Sequence, residues 1–161
     1  MSANKLFIPQ PFQNDILDVT VTTAVPVVGI VLICPETDRV AIFQRNSSDS
    51  GAGDWEFPGG KVESRETLLQ AVVREVQEEI SIALNPEKIF FIGEITHCYP
   101  TKTIHLMLFR YEYSSKISYE FKLVDHQDVK WVSAQDLFQT NLSGADLAFL
   151  KRLISPSGSQ T

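Results

Sequence analysis

Residues 67–80 constrain the fold of this chain more than any other stretch. Apolar side chains recur at Leu69, Val72, Val73, Val76 and Ile80, the spacing of a helix that buries one face. Away from that stripe stand Glu75, Glu78 and Glu79, at i, i+3 and i+4, which puts the three carboxylates on one helix face. Like charges so placed repel by a few tenths of a kcal/mol per pair. A hard divalent cation such as Mg²⁺ removes that cost, since such ions take carboxylate oxygens and water. A bare trio of this kind is more often a solvated acidic face, but its context reverses the reading. Pro58-Gly59-Gly60-Lys61 lies just upstream, and paired glycines let a backbone approach a ligand or metal closely. It is not a phosphate-binding P-loop. That motif needs Gly where this chain has Trp55 and Ser or Thr where it has Val62.

Around this helix the pattern is mixed. Residues 1–18 read as an extended arm or leading strand, and residues 19–33, rich in Val, Ile and Thr, as one long strand or two joined ones. A turn at 36–39 leads to a hairpin partner at 40–44, followed by a polar Gly- and Ser-rich loop at 46–53. Residues 89–96, 103–113 and 130–132 read as strands. Ser133 is placed to cap a short helix over 134–138, and 144–154 has the character of a terminal helix. The Ser-, Pro- and Gly-containing tail 155–161 is expected to fray. Strands and helices without regular βαβ alternation predict an α+β fold, a mixed sheet between helices, built as one domain over 19–154.

Composition narrows the function classes. With 14 Lys and Arg against 20 Asp and Glu the formal charge is −6, a poor match to duplex nucleic acid, whose binders present basic surfaces. A phosphorylated small molecule remains compatible, because bound divalent cations supply positive charge locally. Cys34 and Cys98 show no metal-ligand spacing, and Cys34, ending an apolar run, reads as a buried free thiol. The apolar run over 24–34 is interrupted by Pro26 and Gly29 and is too short to span a bilayer. No signal-peptide pattern opens the sequence. These features predict a cytoplasmic protein with no membrane contact.

The spacing of Gly60, Glu66, Arg74-Glu75-Val76, Glu78-Glu79 and Ile82 resembles the Nudix box, departing from it at Ser81, where the family carries Gly. That Gly normally ends the helix in a left-handed conformation. A serine there is expected to cost about 1 kcal/mol, or to make the helix end by another route, with metal binding retained. The resemblance implies a Nudix-type α/β/α sandwich. It also implies that Glu75, Glu78, Glu79 and the Gly59 carbonyl hold Mg²⁺, with Mn²⁺ as an alternative, while Glu66 and Arg74 orient the carboxylates. Asp125 stands where many relatives carry a Glu six residues before a Trp, here Trp131, as a further metal ligand or general base. His126 beside it is a tempting base, although a lone histidine is more often structural.

Phe43-Gln44-Arg45 and Trp55-Glu56-Phe57-Pro58-Gly59-Gly60-Lys61 are similar to the MutT-like branch. That resemblance implies hydrolysis of nucleoside triphosphates, including oxidised guanine nucleotides, to monophosphate and pyrophosphate, with attack at the β-phosphorus favoured. It places Arg45 and Lys61 on the substrate and Phe57 either at the base pocket or in the core. Glu56 is a further outer metal or orienting group. A base-reading residue is expected near the last helix: Asp146, with Asn141 as the alternative. A carboxylate only accepts hydrogen bonds whereas an amide also donates, so the two would read different base edges. The implied partner is a nucleotide, and the chain a monomer or homodimer. Nucleotide sugars, dinucleoside polyphosphates and RNA 5′ ends are alternative substrates. A non-catalytic nucleotide-binding module is the reading from another class, disfavoured because every box carboxylate is present.

Overall fold

The computed structural model describes residues 24–47, 51–114 and 121–154. The expected arm at 1–18, the first residues of the expected strand at 19–33 and the tail at 155–161 lie outside these. Seven strands form a mixed sheet: β1 (Val25–Cys34), β2 (Arg39–Arg45), β3 (Trp55–Glu56), β4 (Gly59–Lys61), β5 (Phe90–Cys98), β6 (Thr103–Glu112) and β7 (His126–Ser133). The order is β3-β2-β1-β6-β5, with β4 paired to β1 and β7 to β2. Only β1 and β6 run parallel among these pairs, in register from Val25 opposite Ile104 to Ile33 opposite Glu112.

β1 reads as a nearly unbroken apolar run because both of its faces are covered. Val28, Ile30 and Leu32 point into one core with Met107, Phe109 and Tyr111 of β6 and with α1 (Leu68–Ile80). Val31 joins Leu106 and Leu108 in a second core, closed by α2 (Ala134–Gln139) and α3 (Gly144–Ile154) through Leu137, Phe149 and Leu150. The result is the sandwich expected from the sequence. Within α1, Ala71, Val72, Val76 and Ile80 are buried; each larger side chain contributes about 1.5–3 kcal/mol by leaving water. An aspartate at Val76 would bury an unpaired charge in the centre of that face and break the packing.

Three expectations need adjustment. The first strand among the described residues runs from Val25 to Cys34, one residue past the expected end. β7 extends well beyond the expected 130–132, because Gln127, Asp128 and Lys130 face outward and conceal the strand's alternation. β3, β4 and a 3-10 turn at Pro86–Lys88 carry too few residues to show any period. Neither the buried Cys34 nor the exposed Cys98 is in a disulfide. No helix among the described residues is long and apolar enough to cross a membrane.

Candidate active site

The paired glycines seat the helix carboxylates. β4 lies against β1 with Gly60 opposite Val28 and Gly59 opposite Gly29. A Cβ on Gly60 would stand 2.4 Å from the Glu75 carboxylate, and one on Gly59 would stand 2.0 Å from the Val28 carbonyl. Only glycine fits at 59, where the obstacle is backbone, and a side chain at 60 would displace the Glu75 carboxylate. The Gly59 amide donates to Glu79 Oε2 at 3.0 Å.

Arg74 gathers the remaining box acids. Its Nε and Nη2 grip both oxygens of Glu66 at 3.0 and 2.6 Å, the two-pronged geometry that suits a guanidinium to a carboxylate. Nη1 donates to Glu75 at 2.8 Å and to Glu78 at 3.2 Å. Nη2 also reaches the Lys61 carbonyl at 2.9 Å, tying β4 to the helix. The hydrogen bond from Arg74 holds the Glu66 carboxyl below its usual range, and its acidic partners push the guanidinium's own pKa up. For Glu75, burial outweighs Arg74 and raises the carboxyl.

Glu79 is the most perturbed of the group. Burial pushes it to about 9, against the opposing Gly59 amide, and the charges of Glu56, Glu75 and Asp125 push the same way. Backbone hydrogen bonds, with Phe121 and Leu123 packed on the first core, deliver Asp125. The Lys122 and Val124 amides donate to the Ile80 and Glu79 carbonyls at 3.1 and 3.0 Å, satisfying acceptors that the end of α1 leaves open. The helix stops at Ser81 in the left-handed conformation, φ 59° and ψ 38°, the ending that the family's Gly would provide.

Such a concentration of ionisable oxygens fits a hard divalent cation, whose charge favours the ionised carboxylates that burial disfavours. As placed, Arg74 draws Glu75 and Glu78 towards itself. No three acidic, histidine or cysteine side chains among the described residues stand in a formed metal-binding arrangement. Nudix hydrolases as a class use divalent metals.

Of the residues expected to meet substrate, Arg45 donates to Glu56 at 2.9 Å, and the buried His126 pairs through Nε2 with the other Glu56 oxygen at 3.0 Å. Lys61 is exposed on β4 beside the carboxylates. Asp146, 6 % exposed, accepts from the Phe57 amide at 3.1 Å and the Ser143 hydroxyl at 3.0 Å, both on Oδ2. Burial pushes its carboxyl to about 7, and the Glu56 charge adds to that. Phe57 is only 4 % exposed and its ring belongs to the second core, so as placed it serves the site through its amide and not as a platform for a base. Asn141 is exposed and its amide donates to Asp54 at 2.6 Å. Tyr99, unmarked in the sequence, accepts through its hydroxyl from the Ala145 amide at 3.0 Å and pins the start of α3 beside Asp146. That link joins distant parts of the chain and leaves no local pattern to read.

A family model described as the NUDIX domain matches residues 23–153. The chain is 40 % identical over 78 residues to an 8-oxo-dGTP diphosphatase of Proteus vulgaris, covering 48 % of this chain and 68 % of that protein. It is 28 % identical over 130 residues to a CTP pyrophosphohydrolase of Escherichia coli strain K12, covering 78 % and 90 %. The crystal structure of a MutT protein from Methanosarcina mazei Go1 superposes with a TM-score of 0.69 at 23 % identity, over 82 % of this chain and 94 % of that one.

Proposed function

The chain belongs to the Nudix family, and from that premise we propose that it hydrolyses nucleoside triphosphates to the monophosphate and pyrophosphate at a divalent-cation centre on α1. One observation carries this reading: Glu75 and Glu79 are held against the Gly59-Gly60 backbone although burial opposes the charge of these two, with Glu78 on the same helix face. The named relatives above act on nucleoside triphosphates, which supports the substrate class.

In this reading Glu75, Glu78, Glu79 and the Gly59 carbonyl hold Mg²⁺, with Mn²⁺ able to replace it. When bound, the cation polarises a phosphate oxygen, activates water and neutralises the departing pyrophosphate. Glu66 acts through Arg74, fixing the guanidinium that sets the positions of Glu75 and Glu78. Asp125, exposed on the strap across the end of α1, supplies a further ligand or accepts the proton of the attacking water. Arg45 and Lys61 meet the polyphosphate. Asp146 reads the base through Oδ1, since both of its protein hydrogen bonds use Oδ2. Asn141, committed to Asp54, is the weaker reader.

The test is turnover with Mg²⁺ of 8-oxo-dGTP, dGTP, CTP, 5-methyl-dCTP and a nucleotide sugar, in water enriched in ¹⁸O. We expect a nucleoside triphosphate to be preferred, with label in the pyrophosphate, as attack at the β-phosphorus requires. Glu79→Gln should lower kcat by at least about a hundredfold, the scale of losing one key electrostatic group, in a protein that still folds. Preference for the nucleotide sugar, or near-wild-type turnover by that variant, overturns the proposal.

A further inference from the structure

Behind Arg45 lies a chain of polar contacts that the proposed chemistry does not use. β2 pairs with β7 in regular register from Arg39 opposite Ser133 to Gln44 opposite Asp128. The next residue skips one, so Arg45 stands opposite His126 and Gln127 is left over. Such a bulge re-aims a side chain at the end of a ladder. On the other edge of β2, Phe43 faces Glu56. Residues two apart on a strand share a face, so the register brings Phe43, Arg45, Glu56 and His126 to one side of the sheet. The contacts agree: the Phe43 and His126 rings are 5.5 Å apart, and both oxygens of Glu56 are engaged, one by His126 and one by Arg45.

His126 is not an ordinary core residue. Its side chain is 1 % exposed, and its Nδ1 has no hydrogen-bond partner among the described residues. The carboxylate that Nε2 faces only accepts, which assigns the hydrogen to Nε2. Burying such a ring with one nitrogen unanswered is unfavourable compared with an apolar side chain, so the remaining contact, to Glu56, is the one with a role to account for it.

The geometry points to His126 as a positioning residue: its Nε2 hydrogen bond fixes Glu56, which in turn holds the Arg45 guanidinium where it meets the substrate's polyphosphate. The inference rests on the triphosphate reading above, and it assigns to His126 a task other than base catalysis. Arg45 has a long side chain with many rotatable bonds, and holding it in advance lowers the entropy lost when an anion binds. Loss of His126 therefore acts on binding more than on the chemical step.

The experiment measures kcat and KM with the preferred nucleotide, and binding of inorganic tripolyphosphate, in wild type, His126→Leu, His126→Gln, Arg45→Ala and the Arg45→Ala/His126→Leu pair. We expect His126→Leu to raise KM at least about tenfold and to weaken tripolyphosphate binding in parallel, with kcat within about threefold. Gln carries an N–H at comparable reach, so His126→Gln should restore KM to within about threefold. In the Arg45→Ala background, His126→Leu should add less than about twofold, because two residues acting through one contact are not additive. An unchanged KM, a fall confined to kcat, or multiplying losses in the pair overturns the inference. Should His126→Leu fail to fold, His126→Phe keeps a ring in that space, removes the N–H and carries the same expectation. If wild type turns over no nucleotide, the triphosphate reading falls, while tripolyphosphate binding still decides the role of His126.

Discussion

Asp146 is a carboxylate withdrawn from water and kept on two donors, the Phe57 amide and the Ser143 hydroxyl. With its carboxyl pushed to about 7 by burial, it offers a hydroxyl donor below that pH and acceptors alone above it. Relative kcat/KM among bases is therefore expected to change between pH 6 and 8 in wild type and to lose that change in Asp146→Asn; kcat/KM for four bases across the range checks it. The same substitution should cost the preferred base about ten- to a hundredfold at neutral pH, since a buried hydrogen bond to a charged group is worth roughly 1.5–3 kcal/mol. A poorly used base should lose much less. Legibility at this scale depended on charge. Glu75, Glu78 and Glu79 stood out in the sequence because a Gly-Gly pair lies just upstream of their shared face, and Glu66 and Arg74 because their spacing matches the Nudix box. Phe57 did not, since an aromatic ring under a pocket and one lining it look alike in one dimension. Only its burial decides.

At the scale of elements, α1 carries the proposed site and both of its ends are testable. Thr67 and Gln70 cap its start reciprocally, Thr67 Oγ accepting from the Gln70 amide at 3.1 Å and Gln70 Oε1 from the Thr67 amide at 2.8 Å. Thr67→Ala should cost about 1 kcal/mol. Ser81 closes the other end at φ 59°, where an L-residue with a Cβ is disfavoured. Ser81→Gly should stabilise the fold by about 1 kcal/mol while leaving metal-dependent turnover unchanged; denaturant unfolding of both variants checks the pair. The helix was readable because its period spans several turns, and α2, on the other core, because Ser133 caps its start. β4 was not, although the Gly-Gly pair announced a close approach of backbone. Three residues hold no period, and their strand pairing depends on β1, far back in the chain.

For the molecule as a whole, the carboxylates that favour a cation also set how stability responds to pH. Burial raises Asp146 to about 7 and Glu79 to about 9, so across the range above their ordinary values the folded state holds more protons than the unfolded one. By linkage these two groups stabilise the fold most at low pH and progressively less as pH rises through 7 and towards 9. The melting temperature in chelator is expected to fall between pH 5.5 and 8.5. Mg²⁺ should restore it at the alkaline end, since a ligand that binds only the folded state stabilises it; thermal melts with and without the metal check both slopes. The parallel pairing of β1 with β6 has a consequence of another kind, in time. During synthesis β1 leaves the ribosome first, yet the neighbour at its centre, Thr103–Glu112, follows only after the whole acidic helix has been made. Until then the apolar stripe of α1 has only half a sheet to dock on. The closing contact spans about half of the chain, a topology that folds slowly, and the nascent protein passes its most aggregation-prone interval with its acidic helix complete and unhoused.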